Sequence, residues 1–147
     1  EREGRQVYYQ VNSEHPLYPE LSSLFRKSVG LADRVRSALS GLDNQLKIVA
    51  IFGSMASGSF GPQSDVDLLV VGQVEFAEVV GALGEVQMEL GREINPVVLS
   101  VNELRSKVSA KDRFMVEILD GDLIWIKGSR DELGKLVEDR AAEKTSD

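Results

Sequence analysis

Short apolar runs alternate with polar segments along the chain, and four of these runs predict β-strands. The β-branched runs at 47–52 and 66–71 predict central strands covered on both faces. A third strand is predicted at 94–99, where Pro96 favours an edge position or a bulge. A shorter strand is predicted at 123–126. Together these strands predict a mixed β-sheet.

Between the strands, apolar residues recur at helical spacing. The segments 20–27 and 31–39 predict two helices or one helix broken at Gly30. Further helices are predicted at 76–90 and 114–119. Two capping boxes, Ser100 with Glu103 and Ser129 with Glu132, predict the starts of two more helices, of which the second is the last in the chain. Strands that alternate with helices in this way predict an α/β (α+β) fold, in which helices flank the mixed sheet.

Composition narrows the class of protein. The chain has 147 residues, of which 42% are hydrophobic and 28% charged, and this balance predicts a soluble globular domain rather than a disordered or fibrous one. No window approaches the roughly 18 consecutive apolar residues of a membrane span, and the first residues are too polar for a secretory signal. We therefore expect a cytoplasmic protein without a membrane partner.

Charge and residue types limit the possible chemistry. With no cysteine and only one histidine, the chain has no disulfide framework and no thiolate or histidine-rich zinc centre. Metal binding must therefore use carboxylates. The net charge of -7 argues against a free-standing nucleic-acid-binding domain, because phosphate contacts need a surplus of Lys and Arg.

The segment from Gly53 to Val71 carries the strongest functional signal. Gly53 and Ser54 follow a predicted strand, where the missing side chain allows backbone N–H groups to approach a phosphate. Asp65 and Asp67 are two positions apart at the start of the next strand, so both carboxylates project from one face and can hold Mg²⁺. Taken singly, Gly-Ser is usually a turn and D-x-D a solvated strand entrance. Their combination is far more specific.

This combination of Gly-Ser, A-x-G within the loop and D-x-D-L-L-V resembles the nucleotidyltransferase superfamily of DNA polymerase β, in its minimal nucleotidyltransferase branch. The resemblance implies that Gly53 and Ser54 hold the triphosphate of a nucleoside triphosphate (NTP), while Asp65 and Asp67 coordinate Mg²⁺ or Mn²⁺. Ser64, which can hydrogen-bond nearby backbone, completes the predicted nucleotide-binding set. The implied reaction is attack of a hydroxyl on the α-phosphorus, with pyrophosphate leaving.

In this family a third carboxylate on a neighbouring strand helps to activate the attacking hydroxyl. The position in this chain that best matches it is Asn95, which can hydrogen-bond but cannot act as a base. Glu93 lies two residues earlier on the same predicted strand face and is the candidate that could supply the missing charge. Alternatively, Glu93 is an exposed glutamate at the strand entrance. We therefore predict the catalytic set Asp65, Asp67, Glu93 and Asn95.

Outside this motif, Tyr8–Leu39 and Gly91–Ser100 resemble a prokaryotic subgroup in which a winged-helix, transcriptional-regulator-like domain precedes the nucleotidyltransferase domain. The resemblance implies that residues 1–18 are a remnant of the wing and a linker, with a β-ribbon, and that residues 19–147 form the nucleotidyltransferase domain with a helical C-terminal extension. DNA would then be contacted only through a missing N-terminal domain. The exposed ribbon edges, with Tyr8 and Tyr9, are compatible with a homodimer.

Three functions remain open from the sequence. The first is an active enzyme that transfers a nucleoside monophosphate to a hydroxyl of a protein or small molecule. The second is a degenerate, nucleotide-sensing domain that regulates an attached DNA-binding module, with Asn95 explaining the loss of turnover. The third is an antitoxin-like partner of a separate toxin.

Overall fold

The computed structural model describes residues 30–58 and 65–146. Contacts divide the chain into two compact units, Glu1–Leu31 and Ala32–Asp147. The predicted ribbon and linker of residues 1–18, the helix at 20–27 and Ser64 lie outside the described residues. The winged-helix remnant, its domain boundary and the ribbon-mediated homodimer therefore stay predictions.

Four strands form one mixed sheet, as the sequence predicts. They are β1 (Leu46–Phe52), β2 (Val66–Gly72), β3 (Ile94–Leu99) and β4 (Ile124–Lys127). Their order in the sheet is β3-β2-β1-β4; β1 is antiparallel to both β2 and β4, whereas β2 and β3 are parallel. Of the two positions that Pro96 favours, edge or bulge, the described residues show the edge, because β3 is the outermost strand of the sheet that they form.

The two central strands are buried almost throughout. Every residue of β1 except Lys47 is buried, and every residue of β2 except Asp67. Both faces of each strand are therefore covered, which explains why their sequences are continuous apolar runs rather than alternating ones. The single interruption in β2 is the aspartate that the sequence singles out.

Helices connect and cover these strands. They are α1 (30–38), α2 (Ser54–Ser57), α3 (Phe76–Leu90), α4 (Val101–Ser109), α5 (Arg113–Asp120) and α6 (Arg130–Ser146), and a 3-10 turn at Ser40–Gln45 leads from α1 into β1. None of the helices in the described part of the chain combines the length and apolar character needed to cross a membrane.

Helix starts follow the local sequence. The Ser100 hydroxyl accepts from the Glu103 N–H at 3.0 Å, and the Glu103 carboxylate accepts from the Ser100 N–H at 2.8 Å, so the predicted capping box of α4 is formed. At α6, the Glu132 N–H donates to the Ser129 hydroxyl at 3.1 Å. These caps satisfy N–H groups that a helix cannot pair internally.

The core that matters for the site lies on one face of the sheet. It is built from alternate strand positions and from the inner sides of α4, α5 and α6, namely Ile48, Phe52, Leu69, Val71, Leu99, Leu104, Met115, Ile118 and Leu133. Directly opposite residues of paired strands project from the same face. The register pairs Phe52 with Asp67 and Asp67 with Asn95, so all three side chains lie on this face at one end of the sheet.

Candidate functional site

Gly53 forms the turn at the end of β1. Its φ of 77° and ψ of -151° describe a conformation that is essentially confined to glycine. A Cβ added at Gly53 would lie 2.5 Å from Oδ2 of Asp67, which is closer than real Cβ contacts. The backbone at Gly53 therefore approaches the Asp67 carboxylate directly, and no larger residue fits.

The short helix α2 tightens this turn. The Gly53 carbonyl accepts from the N–H groups of Ala56 at 3.1 Å and Ser57 at 3.0 Å, and Gly58 closes the turn with an N–H donated to the Ser54 carbonyl at 3.0 Å. The first N–H groups of a helix, here those of Ser54 and Met55, have no acceptor within it. These two N–H groups follow immediately after the point where Gly53 meets Asp67.

Asp65, Asp67 and Asn95 come together at the adjoining strand ends. Asp65 is exposed just before β2, Asp67 is partly buried as the second residue of β2, and Asn95 is exposed on β3. The parallel register places Asn95 beside Asp67, and Nδ2 of Asn95 donates to Oδ2 of Asp65 at 3.4 Å. One amide thus lies against a pair of carboxylates.

Ionisation of both Asp65 and Asp67 is unfavourable, as the pKa of Asp67 indicates. Burial raises the pKa of Asp67, the neighbouring negative charge of Asp65 raises it further, and a hydrogen bond from the Asn95 side chain acts in the opposite direction. Charging both carboxylates therefore costs free energy that a nearby cation would recover.

The donor atoms at this strand end fit a hard divalent cation only in part. In the described ranges no group of three or more His, Cys, Asp or Glu side chains is arranged to hold a metal ion. Two carboxylates and an amide oxygen are nevertheless the ligand types that Mg²⁺ takes, and Mg²⁺ commonly binds through one or two carboxylates together with substrate phosphates and water. Asp65 and Asp67 are therefore the residues that could hold it.

Glu93 is exposed one residue before β3. Its backbone carbonyl accepts from the Val66 N–H at 2.8 Å, which joins β3 to the start of β2. Within the described residues its side chain makes no hydrogen bond or ion pair. The role predicted for Glu93 stays a prediction.

A cleft of about 400 Å³ that the sequence did not reveal adjoins the Gly53 turn. Phe52, Gly53 and Ser57 line one side of it, and Phe114, Glu117 and Ile118 of α5 line the other. In the sequence, Phe114 stands among the apolar positions of a helix, yet 50% of its surface is exposed. No local signal distinguishes it from a core residue, because helix rotation is set by packing.

Comparison with known proteins identifies the family of this domain. Residues 32–129 match the family of the nucleotidyltransferase domain. A protein of Methanocaldococcus jannaschii, whose name designates it a protein adenylyltransferase, is 31% identical over 75 residues, which are 51% of this chain and 75% of that protein. The fold also resembles a crystal structure of a mutant toxin–antitoxin complex, MntA-HpeT, with a TM-score of 0.53 and 9% identity over 78% of this chain and 87% of the other.

The match that spans 32–129 places the chain in a class of nucleotide-transferring domains: it belongs to the nucleotidyltransferase family. The resemblance drawn from Gly53–Val71 is confirmed at this level. The likeness to the toxin–antitoxin structure shows that the fold is shared.

We expect Gly53→Ala to lower the free energy of unfolding by about 1–3 kcal/mol, since alanine would be strained at this φ and ψ and its Cβ would meet Asp67. Chemical denaturation measures the change. Gly81→Ala is the matched control: nothing lies within 4 Å of an added Cβ there, and within α3 the change should raise stability by up to about 1 kcal/mol. Equal effects at the two sites would contradict the close approach.

We expect Asp67→Asn to raise the melting temperature near pH 7 when divalent cations are chelated. Because folding raises the pKa of Asp67, the folded state binds more protons, and stability falls as pH rises from the ordinary value of 3.8 through the folded pKa. The advantage of the variant should therefore vanish below pH 3.8. Asp65→Asn should give part of the rise in melting temperature, since it removes the charge repulsion on Asp67 but leaves Asp67 partly buried. A variant less stable than the parent at neutral pH would refute this account.

Proposed function

We propose that this domain binds an NTP with Mg²⁺ or Mn²⁺ and transfers its nucleoside monophosphate to a hydroxyl group. The observation that carries the proposal is the contact of the Gly53 turn with Asp67, which joins a backbone suited to phosphate and a carboxylate suited to a cation. Membership of the nucleotidyltransferase family supports the same chemistry.

The proposed roles follow from the donors that each residue offers. The N–H groups at Gly53 and Ser54 bind phosphate oxygens, because successive backbone N–H groups at a turn suit anions. Asp65 and Asp67 hold the divalent cation, which when bound neutralises charge on the phosphates and stabilises the entering and leaving oxygens. Ser64 is proposed as a further nucleotide contact. Attack by the hydroxyl forms the new P–O bond at the α-phosphorus as pyrophosphate leaves.

The proposed acceptor is a protein hydroxyl. The similarity to a relative named as a protein adenylyltransferase supports this choice over a small molecule. The hydroxyl proton needs an acceptor, and Asn95 cannot take it, because an amide is not a base at neutral pH. Glu93 is exposed near the strand end and is the side chain proposed for that task.

A second function, nucleotide sensing without turnover, is favoured by one observation. Asn95 occupies the register position beside Asp67, and in place of a carboxylate it supplies a neutral amide that donates to Asp65. A site of this kind would still bind a nucleotide. DNA would be reached only through a domain that precedes this one. The antitoxin-like alternative would show itself as a small partner protein that co-purifies with the full-length protein.

We expect calorimetric titration of each NTP, with Mg²⁺ or Mn²⁺, to show metal-dependent binding that the double variant Asp65→Asn, Asp67→Asn loses. The variant removes both negative charges with little change in shape. Asp131→Asn, an exposed change on α6, is the matched control and should bind like the parent. Absence of binding by the parent with either metal would refute the proposal.

Asn95→Asp separates the two functions. A third carboxylate beside Asp67 should lower stability when divalent cations are chelated, because three like charges then share one strand end. With Mg²⁺ and NTP, transfer of labelled nucleotide to protein that appears only in the variant identifies a degenerate parent. If the parent transfers nucleotide and Asn95→Asp reduces that transfer, the parent is an enzyme adapted to asparagine.

A further inference from the structure

The cleft beside Gly53 lies on the same sheet face as the proposed phosphate and metal site. Phe52 and Asp67 are direct cross-strand partners, so the residue that lines the cleft and the carboxylate project from one face. Gly53 lines the cleft and also contacts Asp67. A molecule with phosphates at Gly53 can therefore extend into the cleft without crossing the sheet.

Aromatic and aliphatic groups form the floor of this cleft. Phe52 and Ile118 are buried beneath it, and the Phe114 ring meets the Phe52 ring edge-on, with centroids 6.1 Å apart and planes at 77°. Phe114 nevertheless exposes 50% of its surface. A half-exposed aromatic ring held by a second ring is suited to stacking with a planar group.

The polar groups at the rim of the cleft are chiefly acceptors. Glu117 and Asp122 contribute carboxylates, and the described residues that line the cleft include no Lys or Arg. Nε of Arg113 lies 3.8 Å from the Glu117 carboxylate, whose side chain remains 67% exposed and therefore accessible. An acidic rim repels phosphate and favours a group that presents N–H donors.

We infer that this cleft receives the nucleobase of the donor nucleotide and selects a purine that carries an amino group. Phe114 stacks on the base, and Glu117 accepts a hydrogen bond from its exocyclic amine. Uracil has no exocyclic amine, and two carbonyl oxygens flank its ring N3–H, so it would bind less well beside a carboxylate. The inference rests on the proposed function, since the phosphates of the same nucleotide occupy the Gly53 turn.

The test compares ligands with and without a base, by calorimetry on the full chain with Mg²⁺. The probes are inorganic tripolyphosphate and α,β-methylene analogues of ATP, UTP and purine riboside triphosphate, which lacks the amine. Phe114→Ala should weaken the ATP analogue on the order of tenfold and leave tripolyphosphate unchanged. Val116→Ala, a neighbouring exposed change on α5 away from the cleft lining, should alter neither.

Glu117→Gln tests base selection separately. The parent should prefer the ATP analogue to the UTP and purine riboside analogues, and the neutral amide, which can donate to a uracil carbonyl, should narrow the gap to UTP severalfold. Asp120→Asn, on the same helix outside the cleft lining, should keep the parent's preference.

Failure of the inference and failure of the proposed function give different results. Tripolyphosphate binding with equal affinities for all three analogues, or an ATP affinity unaffected by Phe114→Ala, would overturn the nucleobase cleft and leave the phosphate site standing. Absence of binding by tripolyphosphate and by every analogue would overturn the proposed function itself.

Discussion

The contact between the Gly53 backbone and the Asp67 carboxylate is the constraint on which the site depends. It exists because β1 and β2 pair Phe52 with Asp67, so the turn that leaves β1 begins opposite the aspartate. A slip of one residue in that register would move Asp67 to the other face of the sheet and separate the Gly53 turn from the carboxylate. Sheet register and site geometry are thus one property of the fold.

Burial of β2 fixes that register and also raises the free-energy cost of ionising Asp67. All other residues of β2 are buried, so the strand cannot rotate to relieve Asp67. Burial and the charge of Asp65 both raise the pKa of Asp67, which means that the ionised pair opposes folding at neutral pH. Functional sites that hold such unfavourable charge commonly lower the folding stability of the protein, because the same charges serve to bind a ligand. The apolar core beneath the strand supplies the compensating free energy.

Local signals made most of the fold predictable. The strands are continuous apolar runs, and the capping box at Ser100 is a four-residue pattern. The start of α3, where the Glu78 carboxylate accepts from the Glu75 N–H at 3.1 Å, lacks such a pattern, since Glu75 is not among the residues that usually cap helices. The neighbourhood of Asp67 and Asn95 was expected only through the family resemblance, because parallel pairing across an intervening helix leaves no local trace. The exposure of Phe114 has no local sequence signal either, because packing sets the rotation of α5.

Asn95 changes the charge that this strand end has to balance. Asp65 and Asp67 together carry two negative charges, which one divalent cation neutralises; a carboxylate in place of Asn95 would leave one negative charge in excess. The amide instead donates to Asp65 and lowers the pKa of Asp67, so it moderates the repulsion without adding to it. The chain therefore keeps two carboxylates side by side at a lower cost to stability than three, and the same substitution removes the base that a third carboxylate would provide. In the proposed reaction, Asn95 therefore moderates the charge of the pair and leaves the hydroxyl proton to another group.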